Sequence, residues 1–200
     1  MISVYNIKPK FQQLLKPVLQ AMYRAGFTAN GITWMAVLLS LFTGIYCWFF
    51  PGKAALVVLP LALLLRMALN ALDGMMARTY HMQSKSGEVL NELGDVVSDM
   101  FMFAPVGALF HVEPILFVSF LLLSAVNEFA GILGKAVSGE RRYEGPMGKS
   151  DRALVIGLVA LISFFSPILL PHTNYIFAVI LLLLVISTGI RIRKTLTKNA

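Results

Sequence analysis

Residues 54–78 read AALVVLPLALLLRMALNALDGMMAR, an apolar run that ends in a polar, charged cluster. Its apolar part, Ala54–Ala71, comes close to the roughly 20 residues that a helix needs to cross the hydrocarbon core of a bilayer. Five more blocks share this character: Ile32–Phe50, Val96–Phe110, Pro114–Gly134, Ala153–Leu170 and Tyr175–Ile190. The chain is 58% hydrophobic and only 14% charged, against about half and a quarter in soluble domains. The connections are short, and there is no internal repeat or low-complexity tract. The expected fold is all-α: one polytopic membrane domain of six transmembrane helices over residues 28–200.

Residues 1–27 precede it. Ile7, Phe11, Leu14, Leu15, Val18, Leu19 and Met22 recur at helical spacing, with Lys8, Gln12, Gln13, Lys16 and Gln20 on the other face. This is a basic amphipathic helix, suited to lying in the membrane interface or to packing on the ends of the spans. Pro17 is expected to kink it. Asn30 is the expected N-cap of the first span.

The net charge is +7, but its distribution argues against nucleic acid. Basic residues fall on alternate connections and helix ends, including Arg66, Arg78, Lys85, Lys135, Arg141, Arg142, Lys149, Arg152, Arg191 and Arg193. Lys53 alone lies on the other side. Lys and Arg mark the cytoplasmic side of a membrane protein, so both termini are expected there, in an inner-type membrane. Cys47 is alone and apolar-flanked, and is read as an inert buried thiol. No apolar core followed by a small-residue cleavage site marks a removable signal peptide.

The chemistry is expected on the basic side, where the connections are longer and polar. Asn70, Asp73 and Ala77 share one helical face, and Gly87, Asn91, Asp95 and Asp99 share another. Two antiparallel helices with facing oxygen stripes form a set of hard ligands suited to Mg²⁺ or Mn²⁺. Ionisable groups at membrane depth are functional by default. A dication there relieves the repulsion between carboxylates and neutralises a diphosphate. Gly74 and Gly87 leave the backbone open to a nucleotide, and Arg78 offers a fork for phosphate oxygens.

Asn70-Ala-Leu-Asp73-Gly74-Met-Met-Ala77-Arg78, then eight residues, then Gly87-Glu-Val-Leu-Asn91-Glu-Leu-Gly-Asp95 resembles the signature of the CDP-alcohol phosphotransferase family, D-x-x-D-G-x-x-A-R-x8-G-x-x-x-D-x-x-x-D. Every spacing matches. The Thr28–Thr33 segment resembles the family's P-N-x-x-T opening of the first span, with Ala29 in place of proline. The resemblance implies an enzyme of phospholipid biosynthesis that moves a phosphatidyl group from CDP-diacylglycerol, or a related CDP-alcohol, to a polar alcohol and releases CMP. It implies Mg²⁺ or Mn²⁺ at positions 70, 73, 91 and 95, with Asp95 as general base. Gly74, Ala77, Arg78 and Gly87 would cradle the CDP group. It also implies a homodimer.

The departures are Asn70 and Asn91, which stand where the family carries carboxylates. Each amide still offers a neutral oxygen, but two negative charges are gone. This admits a site with one ion instead of two, or a catalytically impaired relative that binds CDP-lipid or serves a membrane assembly. Asp99 is either a further ligand or a hydrogen-bonded buried group. Gly148-Lys149 resembles the family's Gly-Lys before the fifth span, and Lys149 and Arg152 are read as phosphate ligands. Arg141 and Arg142 are read as topology signals, and Arg191 and Arg193 as snorkelling anchors. Asn127-Glu128 within the fourth block lines either an acceptor pocket or a subunit contact. His81 is read as a solvated loop residue, and His111 and His172 as chemically idle. The acceptor itself stays open.

Overall fold

The computed structural model describes residues 8–197, with side chains from Phe11 onward; Ile7 of the expected amphipathic stripe lies outside them. The described chain is helical: α1 Lys8–Arg24, α2 Ala29–Phe49, α3 Lys53–Thr79, α4 Lys85–Phe103, α5 Val106–Leu109, α6 Pro114–Ser138, α7 Lys149–Phe165 and α8 Thr173–Thr197. A 3-10 turn over Pro167–His172 joins the last two.

Apolar side chains cover the outside of the bundle as well as its core. Leu122, Phe129, Leu182 and Ile168 point outward and are more than half exposed, while Arg152 and Arg191 are buried. Exposed apolar surface on that scale needs an apolar surrounding. Ala29–Phe49, Lys53–Thr79, Pro114–Ser138 and Pro167–Thr197 are long and apolar enough to cross a bilayer. The expected third and fifth blocks do not reach that standard. The third is displaced toward the polar loop: α4 starts at Lys85, carries Glu88, Glu92, Asp95 and Asp99, and stops at Phe103, just before Pro105. The fifth ends at Phe165 because Ser166 precedes Pro167, which forces it into extended backbone. The sixth runs past its expected end at Ile190 to Thr197.

α2 packs on α3 and α4, α3 on α7, and α6 on α8. At one end Phe103, Phe120 and Phe177 meet edge-on, with ring centroids 5.3 and 5.2 Å apart. At the other, motif-bearing end, Leu19 of α1 is buried with Ile32, Ala36, Leu69, Leu72 and Met76. Tyr23 stacks on Tyr80 at 3.5 Å. The helix α1 therefore packs on the ends of α2 and α3, while Leu14 and Val18 stay exposed. It continues through Pro17 as one helix. The N-cap of α2 is Thr28, not Asn30: its hydroxyl accepts the Gly31 N–H at 3.1 Å. Asn30 is left inside the first turn, against Gly87.

Gly44 sets how closely α4 lies on α2. A Cβ there would collide with the backbone carbonyl of Phe101, which has no side-chain freedom to yield. Gly44→Leu is expected to lower the thermal unfolding midpoint of the purified protein in detergent, since overpacking costs about 1–3 kcal/mol. Gly52→Ala, where a Cβ meets nothing within 4 Å, is expected to leave the midpoint in place. Equal midpoints for the two variants would contradict this account of the α2–α4 contact.

Candidate active site

Arg66, Asn70, Asp73 and Ala77 follow one another on α3 at steps of four, three and four, and so share one face. Across from them α4 presents Gly87, Asn91, Asp95 and Asp99. The two stripes meet directly: Asn70 Nδ2 donates to Asp95 Oδ1 at 3.0 Å. An aspartate at position 70 would oppose that carboxylate instead of bonding to it. Asp73 is buried and accepts a hydrogen bond from the Thr33 hydroxyl of α2 at 3.0 Å. Thr33 belongs to the opening segment of the first span, so that segment also contributes to the site.

A cavity of about 1060 Å³ opens over this contact. Asn70, Asp73, Gly74, Ala77, Arg78, Gly87, Asn91, Asp95 and Lys149 all line it. The two glycines admit neighbours of this chain as well. A Cβ on Gly74 would sit 3.2 Å from Arg78 Nη1, so the bare backbone lets that guanidinium fold back over α3. One on Gly87 would sit 2.6 Å from Asn30 Oδ1, and the Gly87 N–H donates to the Ser84 cap at 3.0 Å.

Arg152 differs from its expected role. It does not line the cavity, and its side chain is fully buried. Its Nη2 donates to Asp99 Oδ2 at 2.6 Å and to Glu128 Oε1 at 3.1 Å, and its Nη1 to the Met147 carbonyl at 3.1 Å. Asp99 is the hydrogen-bonded buried group of the two readings. Its other oxygen accepts from Arg66 Nη1 at 2.5 Å, while Arg66 Nη2 donates to the Asp95 carbonyl at 3.0 Å. Lys149 pairs with Asp95 Oδ2 at 2.5 Å. The helix α7 thus meets α4 in two rungs, Lys149 on Asp95 and Arg152 on Asp99.

The network continues to α6 and α8. Glu128 is buried, and its Oε2 accepts from Arg141 Nη2 at 3.1 Å. Arg191 Nη1 lies 3.9 Å from its Oε1. Arg191 is no snorkelling anchor: it is buried within α8, donating to the Asn127 carbonyl at 2.6 Å and the Glu144 carbonyl at 3.2 Å. Arg141 and Arg142 are more than topology signals. Arg141 Nε lies 2.7 Å from Glu92 Oε1. Burial works against its charge, but Tyr143, Glu128 and Glu92 outweigh it and hold the guanidinium above its ordinary value. Arg142 packs over Gly131 and Gly134, where any side chain would strike it. Its N–H donates to the Gly131 carbonyl at 3.1 Å. His81, His111 and His172 are exposed and none of them lines the cavity.

Among the described residues no three His, Cys, Asp or Glu side chains are grouped to hold a metal. The available donors are the carboxylates of Asp73 and Asp95 and the amide oxygens of Asn70 and Asn91. All four are hard oxygen ligands on one cavity, a set that fits one hard dication. The Lys149 ammonium already places one positive charge on Asp95. Glu128, read from sequence as lining an acceptor pocket or a subunit contact, lines the cavity, whereas Arg66 reads from sequence only as a basic residue marking one side of the membrane. Arg66 carried a usable signal, its place one turn before Asn70 on the motif face.

Comparisons with known proteins bear on the family and the fold. Residues 27–190 match the family model described as CDP-alcohol phosphatidyltransferase. The chain is 39% identical over 199 residues to the inner membrane protein YnbA of Escherichia coli (strain K12), covering 100% of this chain and 99% of that one. Its fold is similar to the Mycobacterium tuberculosis phosphatidylinositol phosphate synthase (PgsA1) with CDP-DAG bound. That match has a TM-score of 0.75 at 21% identity, over 92% of this chain and 94% of that one. The same synthase in complex with manganese and citrate gives 0.74 at 22% identity, over 90% and 88%.

Asp99 is the most sensitive point of the network, because its removal leaves two buried guanidinium groups facing each other. Breaking a buried pair this way costs about 3–5 kcal/mol. Glu88 pairs with Lys135 where both side chains are nearly half exposed, and such pairs contribute about 0–1 kcal/mol. Chemical unfolding in detergent is expected to show a large loss for Asp99→Ala and almost none for Glu88→Ala.

Proposed function

The chain belongs to the CDP-alcohol phosphatidyltransferase family, and from that premise we propose how its own residues carry out the transfer. The donor is CDP-diacylglycerol, and the acceptor is a polar alcohol. The observation that carries this reading is the Asn70–Asp95 hydrogen bond. It joins the two halves of the motif over one cavity, with Asp73 and Lys149 on the same wall.

Arg78 and Lys149 bind phosphate oxygens of the donor, the first as a fork and the second as a point charge. Gly74, Ala77 and Gly87 keep the wall low enough for the cytidine diphosphate to lie against it. Asp73, Asp95, Asn70 and Asn91 would hold a Mg²⁺ or Mn²⁺, which would supply positive charge to the diphosphate. Asn70 and Lys149 orient the Asp95 carboxylate toward the acceptor. Asp95 takes the proton of the acceptor hydroxyl as its oxygen forms a bond to the phosphorus bearing the diacylglycerol. The bridging P–O bond to the cytidine phosphate breaks, and CMP leaves with that oxygen and its electron pair. Arg152, buried beneath the cavity, is a positioning residue and not a phosphate ligand.

The same reading covers the membrane setting. The helices α4 and α7 complete six spans, α1 lies at the interface, and both termini and the cavity face the cytoplasm of an inner-type membrane. The diacylglycerol tails remain in the bilayer, and the protein acts as a homodimer.

Purified protein in lipid with Mg²⁺ or Mn²⁺ is expected to release CMP from CDP-diacylglycerol when a suitable alcohol is supplied. Chelation with EDTA should stop this, and Asp95→Ala should lower it by at least ~100-fold, the lower bound of general-base contributions. CMP release that survives Asp95→Ala undiminished would remove Asp95 from the role of base. Converting Asn70 and Asn91 to aspartate is the matching test of impairment. An inert parent that becomes active would identify a relative that has lost catalysis.

A further inference from the structure

Arg141, Arg152 and Arg191 come from a loop and two helices and converge on one point, beside the cavity that holds Asp95. Three guanidinium groups around one site form the arrangement that elsewhere grips a phosphate group. Here the place is taken by a side chain of the protein. Glu128 is 4% exposed, and each of its oxygens has an arginine partner at 3.1 Å.

Further donors of these arginines are in use as well, although the buried Arg152 Nε makes no hydrogen bond. Arg152 serves Asp99 and the Met147 carbonyl, Arg191 serves the carbonyls of Asn127 and Glu144, and Arg141 faces Glu92. Among the described residues, the buried cations Arg66, Arg142, Arg152 and Arg191 equal in number the buried carboxylates Asp73, Asp95, Asp99 and Glu128. A phosphate entering the arginine cluster has to displace Glu128 and leave a buried carboxylate without partners, which a low-dielectric interior strongly disfavours.

We infer that Glu128 is a specificity-determining residue: it fills the anion position formed by Arg141, Arg152 and Arg191, on the cavity it shares with the proposed base Asp95, so the acceptor is a hydroxyl compound that carries no phosphate. A neutral polyol adds no charge to the balanced interior. Its hydroxyls can donate to Glu128 and accept from Arg141 or Arg191, all of which line the cavity. This inference rests on the transferase reading for its acceptor, but not for its charge argument.

The test uses the full chain in lipid nanodiscs and matched acceptor pairs, glycerol against glycerol 3-phosphate and inositol against inositol 1-phosphate. Wild-type protein should release CMP with the unphosphorylated member at kcat/KM at least about tenfold higher in a pair that supports turnover, in line with discrimination by unpaired buried polar groups. Glu128→Gln should move that ratio toward the phosphorylated member by a similar factor. In parallel, inorganic phosphate should raise the melting temperature of Glu128→Gln more than that of wild type, whose Arg78 and Lys149 also bind phosphate oxygens. Faster turnover of a phosphorylated acceptor by wild type overturns the inference, as does equal stabilisation of the two proteins by phosphate. An unshifted ratio in a folded Glu128→Gln also overturns it. If Glu128→Gln does not fold, the wild-type pairs decide. Absence of CMP release with every acceptor, together with the expected phosphate melts, defeats the transferase reading and leaves the closed anion position standing.

Discussion

A carboxylate in a low-dielectric interior must be matched, and Asp99 is matched twice. Arg66 reaches it from α3 at 2.5 Å and Arg152 from α7 at 2.6 Å. The helices α3, α4 and α7 are thereby fixed in one register. The rest of the site hangs from this clasp. Arg66 also holds the Asp95 backbone carbonyl, Arg152 passes on to Glu128, and Lys149 sits one turn before Arg152, on Asp95. Buried pairs of this kind contribute little net stability against apolar replacements. Their effect is on geometry, since Asp99 meets both guanidinium groups only with α3 and α7 held against α4.

The two asparagines take on a physical meaning in this frame. Carboxylates at both 70 and 95 would repel each other unless a cation lay between them. The amide of Asn70 removes that repulsion and adds a hydrogen bond, and Lys149 provides a fixed positive charge on the same carboxylate. The interior is therefore charge-balanced by its own side chains. With fewer anionic ligands than the family signature supplies, any bound dication meets a weaker field than four carboxylates would give.

The outline of the site was legible because it is local. Steps of three and four within α3 and α4 put Asn70, Asp73, Gly87, Asn91 and Asp95 on facing stripes, and turn spacing within one helix is a property that sequence carries. The deeper network was not legible because its pairs are long-range: Arg66 with Asp99, Arg152 with Asp99 and Glu128, Arg191 with Asn127 and Glu144. A basic residue near a helix end satisfies the rule for membrane orientation whether or not it also meets a buried acid. That rule, and snorkelling at a helix end, therefore concealed the roles of Arg141 and Arg191, while Arg152 reads as a phosphate ligand from its place beside Gly148-Lys149. The helix limits went astray for a related reason. Apolar blocks were matched to bilayer thickness, whereas α4 begins in the charged loop at Lys85 and α7 ends where Pro167 dictates. At α2, both Thr28 and Asn30 have capping chemistry, and the helix is capped two residues earlier than the more polar candidate.

The most direct test is an experimental density map of the protein in lipid with CDP-diacylglycerol bound. The account predicts Arg66 and Arg152 together on the Asp99 carboxylate, with the diphosphate lying between Arg78 and the Asp73–Asp95 wall. A map in which Asp99 is turned away from both arginines, or in which the diphosphate lies outside the cavity bounded by α3 and α4, would contradict it.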